Sequence, residues 1–566
     1  MTADAEGFGK VLPWCTRRPR LVLALFCLLL WAPGVFSLPP LDRDESRFAQ
    51  ASKQMLESGD FIDIRFGHVP RYKKPVGIYW MQAAATAVAG FGEQSAIWTY
   101  RLPSLLGGIA AVWLTFWCAG AFLKREVAFL AGALLAGTLL LTGEATIATT
   151  DAVLSACILG AQAVLFRVWL AAKGVAAPPS RWVVVAGWVA FGLAVLVKGP
   201  VILAVTGVTV IGLCIWEREV RWLKGTAPLI GLAIVLVLVA PWVIAIGVKS
   251  HWQFFSQSLG HDFATKLAGG QESHGFPPGY FLIALTPSFW PAVLFLLPGL
   301  VAAIRSRRDP AIRFLLVWLA AWLLFELVPT KLPHYVLPLY PALAILSALW
   351  AAWPHGETVW DRIAFYAAPV QFALVALLLA AATVVLPAIY GSGPAFWAVA
   401  PASVFGALVA AALVLYFKRR TLAAALLAVV APLIVYPLLT AGVAPSLSQL
   451  WVSPRLAAAI EPLRREGDQP PALAGYIEPS ALFLLGSETR LTDSGASAAD
   501  AKIGEPGLAV VEERETKAFA ARLRQREVEA YQLGTVEGLN YSNGRKVKLR
   551  IWRVAPAMET PPPPEE

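Results

Sequence analysis

Charged residues are scarce, 15% of 566 positions against 57% hydrophobic ones, and the mean hydropathy is +0.62. That balance excludes an ordinary soluble domain, which has no use for so much apolar surface, and indicates a membrane protein. Cysteine is sparse as well. Among Cys15, Cys27, Cys118, Cys157 and Cys214 there is no CxxC pair, and four lie inside apolar runs. Neither a disulfide framework nor a thiolate metal site is supported. Nucleotide cradles are missing: neither GxxxxGK[ST] nor a GxGxxG between strand and helix occurs, and HExxH is absent too. No internal repeat stands out, which weighs against the repeat-built transporter folds.

What is present is a succession of apolar runs. They fall at about 20–38, 99–122, 126–143, 150–171, 182–197, 200–216 and 227–247. Further runs lie at about 279–303, 312–328, 335–352, 363–388, 396–417 and 421–441. At ~20 residues per crossing they predict about 13 transmembrane helices. The run behind Arg17-Arg18-Pro19-Arg20 reads as the first helix rather than a cleaved leader, because so many similar runs follow. Twenty-two Trp residues suit the membrane–water interface.

Lys and Arg concentrate in every second connection, at Lys124/Arg125, Lys173/Arg181, Arg218/Arg221/Lys224, Arg305/Arg307/Arg308 and Lys418/Arg419/Arg420. This bias places them and the N-terminus in the cytoplasm, and the alternate connections outside. The net charge of +10 is therefore topological information, and a nucleic-acid partner is not expected.

Three outward regions are rich in polar groups. In the first, 39–98, "DESRFAQASKQMLESGD" sets Phe48, Ser52, Met55 and Leu56 on one helical face, with Asp44 as N-cap and Gly59 as stop. "KPVGIYWMQAAATAVAGFG" follows, apolar but short, and both read as helices lying in the interface. The second region, 248–278, carries His251, His261, Asp262, Lys266 and His274 without metal-ligand spacing. The third, "PTKLPHYVLPLYP", sets Lys331, His334 and Tyr335 at the mouth of a span. After about 445 charge rises and β-like runs appear ("ALAGYI", "GLAVV", "KVKLRIWRV") beside a helical "TKAFAARLRQREV", with "NYSNGRK" as a turn. The organisation expected is a membrane domain over 1–444, a small periplasmic α/β domain over 445–555 and a disordered tail over 556–566.

Chemistry is therefore sought at the outer face, where a lipid-borne substrate presents its headgroup. Asp44 is either a helix cap, stabilising by ~1 kcal/mol, or a general base held near Arg43 or Arg47. Asp42-x-Asp44 also has the look of a metal-binding pair, although two carboxylates carry little weight and no metal is expected. Lys73, Lys74, Lys198, Lys266 and Lys331 stand outward against the positive-inside trend. A lipid phosphate or ordinary headgroups would hold them there. Asp151 opens an apolar span, where a carboxylate is costly unless it works or caps.

The segments "RDESRFAQASKQMLESGDFI", "RYKKPVGIYW", "RLPSLLGG", "TTDAVL", "LVKGP" and "TKLPHYVLPLYPALAIL" occur in the order seen in one family. Through them the chain resembles the lipid A aminoarabinose transferases, relatives of the protein O-mannosyltransferases with the integral-membrane GT-C fold. The resemblance covers roughly 20–345.

It implies inverting transfer of a sugar from a polyprenyl-phosphate carrier to lipid A, lipopolysaccharide or another envelope acceptor, at the periplasmic face of a bacterial inner membrane. It implies catalysis by Asp44 and Glu45. Donor binding would fall to Arg47, Lys74, Asp151, Lys266, Lys331, His334 and Tyr335. One departure is Lys73, where aminoarabinose transferases commonly carry a glutamate; a basic group there suits a neutral or acidic sugar better than a cationic one. A sugar-lipid flippase, a transferase acting on protein and a non-catalytic scaffold are the alternatives. A monomer is the default expectation.

Overall fold

The computed structural model describes residues 17–258, 275–354, 356, 358–505 and 507–555. Every apolar run marked in the sequence is helical there. Among the described residues, ten helices are long and apolar enough to cross a membrane. An eleventh crossing is a pair, Arg125–Ala136 and Leu139–Thr146, bent by 63°. Val201–Glu217 and Val293–Arg305 are apolar but shorter. At 1.5 Å per residue they reach about 26 and 20 Å, short of a ~30 Å hydrocarbon core. The second belongs to the run at 279–303, which is broken into Tyr280–Ser288 and Val293–Arg305 around Pro287 and Pro291.

The elements that build the site are, in chain order, α1 (Pro19–Ser37), α2 (Asp44–Ser58), α3 (Gly77–Ala89), α4 (Ile97–Ala119), α5 (Arg125–Ala136), α6 (Leu139–Thr146), α7 (Asp151–Ala172), α8 (Arg181–Lys198), α9 (Val201–Glu217) and α10 (Pro228–Lys249). The two expected interfacial helices are α2 and α3. Helix α2 buries Phe48, Ser52 and Met55 and stops at Gly59, whose left-handed φ of +70° lets its N–H reach Met55 O at 3.0 Å.

Two expectations for α2 fail. Asp44 is not its cap: Arg43 takes that position with a φ of +64°, and Asp44 is the first helical residue. Nor does α2 present only one face to protein, for Ala49, Gln50 and Lys53 are buried as well. Gln50 donates to Ser487 Oγ at 2.7 Å and Lys53 to Phe483 O at 3.2 Å. The helix is held between α3 and the C-terminal domain, so its polar side is covered too.

That domain is a five-stranded sheet in the order β4–β3–β5–β7–β6, from Gln469–Ala474 (β3), Arg490–Thr492 (β4), Gly507–Glu512 (β5), Glu529–Asn540 (β6) and Arg545–Ala555 (β7). A two-stranded ribbon, β1 (Arg65–Phe66) with β2 (Val69–Pro70), lies in the first outward loop. Strands β3, β4 and β5 are parallel, and β6 and β7 form an antiparallel hairpin. Its turn is the "NYSNGRK" segment, closed by Gly544 N–H to Asn540 O at 2.8 Å. Strand β6 was not expected. Its two glycines and the irregular register between Gln532 and Gly534 blur the alternation that marks a strand. The tail at 556–566 lies outside the described residues.

Candidate active site

The connection from α1 to α2 is fixed by one buried ion pair. Glu45 and Arg101, both sequestered from solvent, meet through Nε to Oε1 at 2.7 Å and Nη2 to Oε2 at 2.9 Å. Arg101 donates its remaining N–H groups to Val35 O, Leu38 O and Pro39 O, at 2.9, 2.7 and 3.0 Å. All five guanidinium donors are thus used, which a lysine could not reproduce. Glu45 further accepts Leu41 N–H and Ala148 N–H, each at 2.8 Å. The end of α1, the start of α2, α4 and the loop before α7 are tied at a single point.

With four hydrogen bonds on two oxygens, Glu45 is bound up as a positioning group rather than free to move a proton. Its neighbour differs. The Asp44 side chain is 59% exposed and its carboxylate lies 3.8 Å from Arg47 Nη1.

Asp44 opens onto a cavity of about 320 Å³ whose wall also holds Arg43, Arg47, Arg71, Lys73 and Lys74. The same cavity is lined by Glu144, Thr149, Asp151, Lys198, His334 and Tyr335. Helix α7 begins at Asp151 and α8 ends at Lys198, so two helix termini bring the pair together at 2.5 Å. Thr150 Oγ1 donates to the other Asp151 oxygen at 2.9 Å, and Thr149 Oγ1 to Glu144 Oε2 at 2.7 Å. His334 Nδ1 lies 3.4 Å from Glu144 and its Nε2 3.9 Å from Asp151. Lys198 also lies over the Tyr335 ring, 5.3 Å from its centre.

The ligand atoms of Glu144, Asp151 and His334 fall within 4.8 Å of one another, close enough to hold a metal ion. Two carboxylates and an imidazole are suitable donors. One Asp151 oxygen, however, is already engaged by the Lys198 ammonium.

Six of these residues, Lys73, Lys74, Asp151, Lys198, His334 and Tyr335, also line a second space of about 750 Å³. Its remaining wall is mostly apolar, with Leu154, Leu196, Leu203, Val239, Trp242 and Phe325 from α7 to α10 and the span Pro310–Leu327. A polar chamber and an apolar groove therefore share a cationic neck. This arrangement suits an amphiphile with an anionic joint between a polar head and a hydrocarbon tail.

The structure gathers most of the residues singled out in the sequence. Asp44, Arg47, Lys73, Lys74, Asp151, His334 and Tyr335 all face the chamber. Lys331 does not: it is buried, with Nζ donating to Glu326 O at 2.7 Å and Val328 O at 2.6 Å. Those are carbonyls at the open end of the preceding helix, which has no further residues to satisfy them. Lys266, with His261, Asp262 and His274, lies outside the described residues. Glu144 was overlooked, although an acid inside the apolar "LLLTGEATIATTD" is itself a warning. Lys198, expected to meet a lipid phosphate or ordinary headgroups, directs its ammonium to Asp151.

Replacing Lys198 by Met is expected to remove the ammonium paired with Asp151 and, with it, one donor for an anionic ligand in the neck. A charge-assisted bond is worth ~1.5–3 kcal/mol, so carrier affinity should fall about 10- to 100-fold, and Lys198→Arg should recover part of it. Titration of the purified variants with a long-chain polyprenyl phosphate measures both.

Asp42 does not join Asp44 as a metal pair. It turns to the C-terminal domain, where its carboxylate accepts Ser480 Oγ–H and its N–H donates to Tyr541 Oη at 2.6 Å. Arg43 donates to Ser542 O on the same turn. Burial at this seam is the main cause that pushes the Asp42 carboxyl from 3.8 to about 7, and nearby Glu478 adds to it against the opposing hydrogen bonds.

A group raised in the folded state stabilises fully below its unfolded pKa and loses that contribution as pH climbs through the folded one. Stability should therefore decline between about pH 4 and 7 and level off above. An Asp42→Asn variant should show a smaller drop in unfolding midpoint than the wild type between pH 5 and pH 8.

Residues 73–244 match the family model described as dolichyl-phosphate-mannose-protein mannosyltransferase. The undecaprenyl phosphate-α-4-amino-4-deoxy-L-arabinose arabinosyl transferase of Pseudomonas aeruginosa (strain UCBPP-PA14) is 31% identical over 333 residues, 56% of this chain and 58% of that one. The protein of the same description from Erwinia tasmaniensis is 29% identical over 314 residues, covering 54% of each. The chain thus spans somewhat over half the length of the curated relatives it matches.

Among solved structures, ArnT from Cupriavidus metallidurans bound to undecaprenyl phosphate superposes with a TM-score of 0.76 at 19% identity, over 96% of this chain and 99% of that one. The apo Archaeoglobus fulgidus oligosaccharyltransferase gives 0.50 at 12% identity, over 90% and 71%. The chain has the fold of ArnT, a multispan GT-C membrane domain with a smaller soluble domain, and it resembles the aminoarabinose transferases in sequence over a little more than half its length.

Proposed function

We propose that this protein is a glycosyltransferase of the bacterial inner membrane. It moves a sugar from a polyprenyl-phosphate carrier to an envelope lipid of the lipid A or lipopolysaccharide type at the periplasmic face. The observation that carries this reading is the cationic neck between chamber and groove. The groove takes the prenyl chain, the neck the phosphate and the chamber the sugar.

Asp44 accepts the proton of the acceptor hydroxyl as its oxygen attacks the anomeric carbon. The bond from that carbon to the carrier phosphate breaks, and the electron pair leaves with a phosphate stabilised by Lys73, Lys74 and Lys198. Surrounded by ammonium groups, the phosphate needs no separate acid, and single displacement inverts the anomeric centre. Glu144 and Asp151 orient His334 and Lys198 in the same cavity. Because the Lys198 ammonium already engages Asp151, chelation with EDTA is expected to leave the rate of the purified enzyme within about twofold. A basic Lys73 on the chamber wall favours a neutral or acidic sugar as cargo.

The test is mass analysis of total envelope lipids and glycans from a strain lacking the protein. One lipid should lose a single glycosyl increment, restored by the wild type and not by Asp44→Asn. Unchanged masses, or a loss confined to glycoproteins, would overturn the lipid-acceptor reading.

A further inference from the structure

At the other end of the bundle lies a further cavity, of about 800 Å³. Its wall holds Arg17, Arg18, Arg20, Arg125 and Arg167 with Trp117 and, among the described residues, no carboxylate. Helix α7 carries Asp151 at the reaction chamber and Arg167 sixteen residues further on, so the two sites are about 24 Å apart along that helix. Helix α1 likewise runs from this cavity to the carbonyls that hold Arg101.

Basic residues at these connections are ordinary topology signals, and free side chains would simply reach into water. Arg167 behaves otherwise. It sits inside the bundle, stacked 4.0 Å from the centre of the Trp117 ring and donating to Trp117 O at 2.7 Å. Its Nε is buried and has no hydrogen-bond partner among the described residues. Among them, no ion pair engages any of the five arginines of this cavity. Arg125 is held near the start of α1 by a contact to Arg17 O at 3.5 Å, and Trp113 Nε1 fixes Arg20 O at 2.8 Å. Two of the five guanidinium groups around this space, those of Arg125 and Arg167, are thus anchored by backbone carbonyls rather than by carboxylates among the described residues. The N-termini of α1 and α5 open onto it and add the positive ends of two helix dipoles.

From the cavity an apolar track leads along the membrane. Leu21, Leu25 and Leu29, four residues apart and so on one face of α1, are 44%, 50% and 62% exposed. A soluble phosphate has no use for such a track, whereas an acyl chain does.

We infer that this cavity binds the phosphate of an anionic phospholipid in the leaflet opposite the reaction chamber, with an acyl chain along the Leu21–Leu25–Leu29 face of α1. A phosphodiester offers acceptors for Arg167 and the neighbouring guanidinium groups at once, and its charge balances a cluster that no carboxylate among the described residues pairs with.

The experiment uses the full chain, delipidated in detergent and titrated with phosphatidylglycerol, phosphatidylcholine or inorganic phosphate, with retained lipid counted by native mass spectrometry. The wild type should prefer phosphatidylglycerol to phosphatidylcholine by at least ~10-fold, and the doubly substituted Arg125→Gln/Arg167→Gln protein should lose that preference. Lys198→Met, at the other end, should keep it. If the double variant fails to fold, Arg17→Gln/Arg20→Gln, on exposed side chains, is the substitute and should weaken the preference several-fold. Equal binding of the two lipids, or an undiminished preference in a folded arginine variant, would overturn the inference. So would competition by millimolar inorganic phosphate as strong as that of the lipid. None of these readouts depends on sugar transfer.

Discussion

Asparagine at position 44 is expected to lower the transfer rate by a factor of ~10²–10⁴ while carrier binding stays within about twofold of the wild type. The amide has the size of the carboxylate but cannot take a proton from an acceptor hydroxyl. Asp44 is well placed to isolate that effect. Its side chain is mostly exposed to the chamber, and its ion pair with Arg47 is a loose one at 3.8 Å. An exposed pair of this kind contributes little to stability, so the fold should survive the change. Single-turnover rates and carrier titration on the same preparation separate chemistry from binding. Retained turnover would move the proton acceptor to another carboxylate of the chamber wall.

The larger structural effect is expected at Arg101. Replacement by lysine preserves the charge yet supplies three donors where five are used, and it cannot pair with both Glu45 oxygens while reaching Val35, Leu38 and Pro39. Each buried acceptor left without its donor costs about 1–3 kcal/mol, and lysine leaves two of the five bonds unmade. The Arg101→Lys variant should unfold at a markedly lower temperature and lose activity, because the α1–α2 connection sets where Asp44 stands. Unfolding midpoints beside those of Asp44→Asn distinguish the two cases: Asp44→Asn should be as stable as the wild type and Arg101→Lys should not.

Much of this architecture can be read from hydrophobic runs alone, since each run long enough to matter became a helix. The alternating Lys and Arg connections were equally informative. Arg17, Arg20 and Arg125 meet at one end of the bundle, while Asp44, Lys73 and His334 meet at the other. Less legible were pairings between distant segments. Nothing local in "RLPSLLGG" says that Arg101 will pass between helices to Glu45, or that Lys198 will end its helix against Asp151. Lys331 looked like a site residue because it neighbours His334 in sequence, but the helix end before it needed donors for its carbonyls. The covering of α2 was hidden for the same reason. Its polar face reads as solvated until a C-terminal segment more than 400 residues away supplies Phe483 and Ser487.

The account rests on the neck that joins chamber to groove. Its most direct test is a structure of the protein with a long-chain polyprenyl phosphate in a lipid nanodisc. The phosphate should lie within hydrogen-bonding reach of Lys73, Lys74 or Lys198, with the chain between Leu196, Leu203 and Trp242 and the head directed towards Asp44. A carrier seated away from those lysines, or with its phosphate on the far side of the bilayer from Asp44, would contradict it.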